Sequence, residues 1–191
     1  MTEQPDSETY SDAAVIALDF SNWPQPDEYA LEVGRIMGLW ANLEDQLGQF
    51  IGKLAGFDEF ADRTALILTA HSSFPQKLQM FETLCEMLQD QYQHLQAYKN
   101  TSSKIRSAQT ERNKYAHNGM FFDVNSKNVK MTSVSARGKL RLEVNVVTVL
   151  QLRRVLMKIN EATISLYNLV QNTNHPCYWN RDSGIPLTPQ R

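Results

Sequence analysis

The clearest pattern in the sequence is a stripe of apolar residues that recurs every three or four positions. Its members are Tyr29, Val33, Ile36, Trp40, Leu43, Leu47, Phe50 and Leu54. Because 3.6 residues complete one helical turn, this spacing predicts a long amphipathic helix with one buried face. Such a face needs partners, so further helices with matching stripes are expected.

Four more segments carry the same period. A helix is predicted over 59–71, and the next begins at a capping box in which Ser73 caps and Gln76 reaches back. The buried face of that helix is predicted to comprise Leu78, Phe81, Leu84 or Cys85, Leu88, Tyr92 and Leu95. The last helix opens with a second capping box, Thr148 with Gln151, and continues to about residue 171. Another helix begins near residue 101, and its inward positions are Ile105, Ala108, Arg112 and Tyr115. An arginine therefore stands where the pattern expects an apolar side chain.

The period changes over residues 120–146. Short β-branched or aromatic segments alternate there with turn-forming residues, which predicts an antiparallel β-ribbon. The fold class is therefore all-α: a four- to five-helix up-and-down bundle with a small inserted antiparallel β-ribbon before the last helix. We expect a helical domain over 13–172, a disordered N-terminal segment over 1–12, and an irregular C-terminal tail over 173–191.

Composition excludes several classes of protein. The 191 residues are 42% hydrophobic, enough for one sizeable core, but no apolar run approaches the roughly 18 to 20 residues of a membrane span. The first residues are acidic, unlike a signal peptide, so we expect a soluble, cytoplasmic protein without membrane contact. Cys85 and Cys177 form no disulfide framework. The scattered histidines and the missing enzyme signatures predict neither a metal nor a cofactor.

The two halves of the chain carry opposite charge. Residues 1–98 contain 4 Lys and Arg against 16 Asp and Glu, whereas residues 99–191 contain 15 against 5. A basic half attracts polyanions such as RNA by displacing condensed counterions. Alternatively, the two halves neutralise each other within the fold or across a subunit interface.

One segment of the basic half, residues 111–119, carries candidate chemistry. Asn113 and His117 are four residues apart on one helical face, so the amide can orient the imidazole. The long side chain of Arg112 can swing toward the same helix end. Cleavage of RNA by its own 2′-hydroxyl needs a base, an acid and a cation to stabilise charge on phosphorus. Histidine suits the first two roles and arginine the third.

The pattern Arg112-Asn113-x-x-x-His117 in a helical protein resembles the HEPN superfamily, whose motif is an Arg and a His separated by four to six residues, often with a polar residue after the Arg. The resemblance covers residues 27–172 as a bundle. It implies a metal-independent endoribonuclease, a toxin or defence effector, in which motif helices of a homodimer build one composite site. It also implies an antitoxin or other regulatory protein. In one toxin subgroup a modified Tyr follows the His by two positions, but here that position is Gly119, so such control is not expected.

Flanking residues extend the candidate site. Lys104, Arg106 and Lys114 are candidates for RNA phosphate contacts, although charged helix faces are usually simply solvated. Trp40 and Glu44 can face the motif helix, where Glu44 would orient Arg112 or His117 and Tyr115 would support the site or stack on a base.

Three alternatives remain open at this point. In the first, Arg112 pairs with Glu44 or Glu111 inside the bundle, and His117 merely caps the helix, where a cation gains roughly 0.3 to 1 kcal/mol. In the second, the chain is a catalytically inactive HEPN-like binding module for a nucleic acid, a nucleotide or a protein partner. In the third, the chain is a purely structural helical dimer, which would show no affinity for RNA.

Overall fold

The computed structural model describes residues 26–57, 62–136 and 138–177. The predicted N-terminal segment 1–12 and most of the predicted tail, 178–191, lie outside the described residues. Within them the chain forms five α-helices, α1 (Asp27–Leu54), α2 (Arg63–Ala70), α3 (Phe74–Leu88), α4 (Tyr98–Ala116) and α5 (Val149–Gln171). A short 3₁₀ helix, Gln93–Ala97, precedes α4, and three strands, β1 (Gly119–Asp123), β2 (Asn128–Ser135) and β3 (Arg141–Val147), precede α5.

Successive helices reverse direction. α2 returns along α1, because Gly52 lies beside Ala65 and Gly48 beside Thr69. α3 runs parallel to α1, because Trp40 contacts Phe74 and Glu44 contacts Lys77. α4 runs antiparallel to α3, because Arg106 pairs with Glu82 and Tyr98 with Glu86. α5 runs antiparallel to α4, because Lys104 pairs with Glu161 and Lys158 with Glu111. The helices α1, α3, α4 and α5 therefore enclose one core, and α4 alone of these four runs in the opposite direction.

The core follows the stripes that define the helices. Fully buried side chains from these four helices and the 3₁₀ helix meet there, among them Ile36, Leu43, Leu47, Leu78, Phe81, Leu95, Ile105, Leu152, Ile159 and Leu166. Burying an aliphatic side chain of this kind contributes about 1.5 to 3 kcal/mol. The amphipathic patterns therefore account for the association of the helices.

Local signals fix where helices begin and end. The Ser73 amide donates to Gln76 Oε1 at 2.8 Å, and the Thr148 amide donates to Gln151 Oε1 at 2.8 Å, so both predicted capping boxes are formed. Asn172 ends α5 in the left-handed conformation, with φ of 52°. None of the described helices has the length and apolar character that crossing a membrane requires.

The sheet is antiparallel with the order β1-β2-β3. Val129 of β2 and Val147 of β3 pair and are buried against the helices, together with Met131. The sheet therefore joins the core through one face, and the alternation of side chains leaves the other face outward.

The coarse fold prediction is confirmed: the chain is mostly helical, with a small antiparallel sheet before the last helix. Details differ from the expectation. The third helix ends at Leu88, and Tyr92, placed on its buried face by the sequence pattern, is 44% exposed because the chain leaves the helix before reaching it. The motif helix begins three residues earlier than expected, at Tyr98.

Candidate functional site

The Arg-His motif lies where the last turn of α4 meets the sheet. α4 ends at Ala116, and His117 is its C-terminal cap, with its amide donating to the Asn113 carbonyl at 3.3 Å. β1 begins two residues later at Gly119. The backbone of His117 is therefore fixed between a packed helix and a hydrogen-bonded strand.

The guanidinium of Arg112 lies over a buried aromatic ring. Its Cζ is 5.3 Å from the ring centroid of Trp40, which is 4% exposed and packs on Phe74 with centroids 4.4 Å apart. A cation at this distance from the face of an indole ring is attracted by its quadrupole. Arg112 Nη1 also donates to Asn113 Oδ1 at 3.1 Å. Two contacts thus fix the orientation of the guanidinium.

Arg112 is not neutralised by a carboxylate within the described part of the chain. Glu44 accepts from Lys77 at 3.1 Å, and Glu111 accepts from Lys114 at 3.0 Å and Lys158 at 3.1 Å. The hydrogen bonds from Lys114 and then Lys158 hold the pKa of Glu111 below its usual range. Both acids considered as partners of Arg112 from sequence are therefore engaged elsewhere.

One polar atom of Arg112 remains unsatisfied. Its Nε is buried and has no hydrogen-bond partner among the described residues. A buried donor left unpaired costs about 1 to 3 kcal/mol. The position of the arginine is therefore ordered, but its charge has no counterion and its Nε–H has no acceptor among the described residues.

His117 presents its imidazole to solvent. The residue is exposed, and its side chain forms neither a hydrogen bond nor an ion pair with the residues that the structure describes. The expected contact between the Asn113 side chain and the imidazole is absent, and Oδ1 of Asn113 accepts from Arg112 instead. The amide thus orients the arginine, and the imidazole is held only through the backbone.

The three candidate RNA-binding cations all have carboxylate partners. Lys104 Nζ lies 3.0 Å from Glu161, Arg106 donates to both carboxylate oxygens of Glu82, at 2.8 and 2.6 Å, and Lys114 pairs with Glu111. Because each residue of a helix adds 1.5 Å, Lys104 and Arg106 lie about 12 and 9 Å from Arg112 along α4. Of these three cations, Lys114 is the nearest to the motif in sequence.

The remaining two candidates are Glu44 and Tyr115, and neither forms a hydrogen bond with the imidazole. Glu44 does not orient Arg112 or His117, because its carboxylate binds Lys77 on the first turn of α3. Tyr115 is half-buried against the core, and burial, followed by the neighbouring Glu111, raises its pKa. Tyr115 therefore remains protonated at neutral pH and serves as packing beneath the motif.

Sequence reasoning missed a buried carboxylate. Glu32 is 2% exposed, and its Oε1 accepts from Arg35 at 3.1 Å and from Arg153 of α5 at 3.0 Å. A signal was present, since Glu32 precedes Ile36 by four residues and Trp40 by eight. That periodicity was overlooked because the neighbouring Val33 is apolar and also fits the spacing of the stripe.

The described residues contain no group of three or more His, Cys, Asp and Glu side chains arranged to hold a metal ion. A groove of about 580 Å³ between α1, α2 and α3 is lined mainly by Ile51, Leu68, Met80 and Leu84 with a few polar neighbours, and it does not include the motif.

Comparisons of the chain with protein families, curated proteins and solved structures find no match.

Proposed function

We propose that this chain is a metal-independent endoribonuclease of HEPN type. The observation that carries the proposal is the state of Arg112: an oriented guanidinium without a carboxylate partner in the described residues, five positions before an exposed imidazole. Arginines that serve a fold are normally paired when they leave water. An unpaired cation five residues before an exposed imidazole instead suits a phosphate ligand.

The proposed reaction is an internal transfer within RNA. The 2′-hydroxyl oxygen bonds to the adjacent phosphorus while its proton passes to a base, and the bond from phosphorus to the 5′-oxygen breaks as that oxygen receives a proton. The products are a 2′,3′-cyclic phosphate and a 5′-hydroxyl. His117 acts as general base or acid, and Arg112 stabilises the extra negative charge on the phosphorane.

The neighbouring side chains have supporting roles in this proposal. Trp40 and Asn113 restrict the guanidinium before substrate arrives, which reduces the entropy lost on reaching the transition state. Each chain supplies one motif imidazole, whereas the reaction uses both a base and an acid. Two copies in a homodimer would supply both, in keeping with the composite site that the HEPN resemblance implies.

The test is incubation of purified protein with end-labelled RNA in the presence of EDTA. Wild type is expected to release fragments with 2′,3′-cyclic phosphate ends, while RNA methylated at the 2′-oxygen stays intact. His117→Ala should abolish cleavage. His71→Ala is the matched control, because His71 is also an exposed histidine at a helix C-terminus, that of α2. Equal cleavage by wild type and His117→Ala, or none by wild type, rejects the proposal.

A second candidate function is a catalytically inactive binding module for nucleic acid. It is favoured by one observation, namely that Asn113 is turned to Arg112 and leaves the imidazole without a side-chain partner to orient it. This alternative predicts salt-sensitive RNA binding with no cleavage. Arg112→Ala would then weaken binding, whereas Arg154→Ala, an exposed arginine of α5, would not.

The biological role depends on that result. A nuclease of this type would act as a toxin or defence effector, and an antitoxin or other regulatory protein would restrain it. The HEPN resemblance is the support for both statements. The corresponding measurement in cells is growth on expression of the protein: wild type should be toxic, and His117→Ala should not.

A further inference from the structure

The outer face of β3 is apolar and exposed. Leu142, Val144 and Val146 are 66%, 51% and 48% exposed, and Leu140, which precedes the strand, is 77% exposed. They alternate with the polar residues Arg141, Glu143 and Asn145, as expected for a strand with one face directed away from the helices. Val134, opposite Leu142 on β2, extends the apolar surface and is 63% exposed.

β3 is also an edge strand. The order β1-β2-β3 leaves its second side unpaired by any described strand. The described part of β3 contains no proline, and its residues from Arg141 to Val146 are all exposed. A long apolar edge of this kind is a template for another strand, and natural proteins normally cover or interrupt it.

We infer that β3 pairs antiparallel with β3 of a second copy of this chain, with Leu142 on the two-fold axis. In this register Arg141 lies opposite Glu143 of the second copy, and Leu140 lies opposite Val144. Two reciprocal Arg-Glu pairs then flank a central pair of leucines on one continuous six-stranded sheet. Arg141 and Glu143 form no ion pair with the described residues, so both charges are available for this contact.

The sequence of the strand selects this register over its neighbours. A shift by one residue is excluded, because directly opposed residues share a face and a two-fold axis would then set residues of opposite faces against each other. An axis at Arg141 or Glu143 places like charges opposite each other. An axis at Val144 sets the charged Arg141 opposite Val147, which is 3% exposed because it packs against the helices. The axis at Leu142 alone pairs opposite charges and matches the apolar residues.

This interface is separate from the Arg112-His117 motif. Strands in a sheet lie about 4.8 Å apart, so the two β1 strands would be about 24 Å apart across the paired sheet. The inference therefore does not rest on RNA cleavage and adds an interface to the motif-helix contact expected from the HEPN resemblance. Its failure would leave the cleavage test untouched.

Charge reversal tests the pairing without disturbing the core, since both residues are exposed. Arg141→Glu and Glu143→Arg should each weaken self-association by about tenfold or more, because two attractive pairs become two repulsive ones. Analytical ultracentrifugation should then show a particle of half the wild-type mass. The double variant, and an equimolar mixture of the two single variants, should recover the wild-type mass. No recovery in either sample overturns the inference.

Cysteine cross-linking tests the register. Opposed residues in antiparallel strands have Cα atoms about 4.5 to 5.5 Å apart, within the range that a disulfide spans. In a Cys177→Ser background, Leu142→Cys should form an intermolecular disulfide under mild oxidation. Val144→Cys is the matched control on the same face of the same strand and should not. Cross-linking of Val144→Cys alone overturns the register.

Two further outcomes overturn the inference. If the wild-type mass equals that of both single variants at every concentration, no second copy uses β3. If the protein is a monomer but β3 amides are protected from hydrogen exchange, another part of the same chain covers the strand.

Discussion

Replacing Arg112 by methionine distinguishes a guanidinium that serves function from one that serves the fold. Methionine keeps an unbranched side chain over the Trp40 ring, where sulfur-aromatic contacts contribute about 0.3 to 1.5 kcal/mol. It removes the positive charge and the buried Nε that lacks a partner. The variant therefore changes the chemistry of the position while largely retaining its volume.

The expected change in stability is small. Loss of the cation-π contact costs about 0.5 to 2 kcal/mol and loss of the hydrogen bond to Asn113 costs about 0.5 to 1.5 kcal/mol, whereas removal of the unpaired buried donor returns about 1 to 3 kcal/mol. The net free energy of unfolding should therefore lie within about 2.5 kcal/mol of wild type. For a domain of this size 1 kcal/mol corresponds to about 2 to 4 °C, so Tm should change by no more than about 10 °C, in either direction.

Thermal unfolding followed by circular dichroism, with RNA cleavage on the same samples, checks this prediction. Cleavage by Arg112→Met should fall by about 10²- to 10³-fold, the usual cost of losing one group that stabilises transition-state charge. Arg154→Met, at an exposed position on α5, is the matched control for both assays. A loss of more than about 10 °C would refute the reasoning, since 3 to 5 kcal/mol is the cost of breaking a buried ion pair.

Two further predictions concern stability alone. Gly52→Ala should lower Tm through overpacking of about 1 to 3 kcal/mol, because a Cβ there would lie 2.7 Å from Cβ of Ala65. Gly38→Ala has nothing within 4 Å and should gain about 1 kcal/mol from helix propensity. A rise in Tm for both would contradict close packing of α1 on α2. The hydrogen bond from Lys130 holds the pKa of Asp123 well below its usual range. Its stabilisation is therefore full above about pH 4 and is lost as pH falls. Asp123→Asn should accordingly show a flatter acid limb in Tm against pH, and parallel limbs would refute this.

The fold was largely predictable because its signals are local. Capping by Ser73 and Thr148 depends on side chains three residues away, and the helical stripes depend on a fixed period. The end of α3 was harder to predict, because the apolar period continues through Tyr92 to Leu95. Leu95 is buried from a 3₁₀ helix rather than from α3, so the burial of Leu95 was foreseen while the conformation was not.

The contacts of the site were less predictable, since they join residues far apart in sequence. Periodicity correctly turned Arg112 toward the bundle, but the pairing of Glu44 with Lys77 depends on how α1 and α3 align, which no local pattern encodes. The partner of Asn113 was also not predictable from spacing: its Oδ1 accepts from Arg112 at 3.1 Å, whereas the imidazole of His117 lies past the helix end.

Glu32 and Arg112 are two polar exceptions to apolar stripes, and their surroundings separate structure from function. The carboxylate of Glu32 lies against Arg35 and Arg153 from two helices, so its charge is compensated and the residue ties α1 to α5. The guanidinium of Arg112 lies against an aromatic ring and an amide, neither of which neutralises it. A chain selected for stability alone would have no reason to keep a half-buried cation without its counterion, because an apolar side chain of that volume fits the same stripe. Under the proposed function, an anionic ligand supplies the counterion that Arg112 lacks among the described residues.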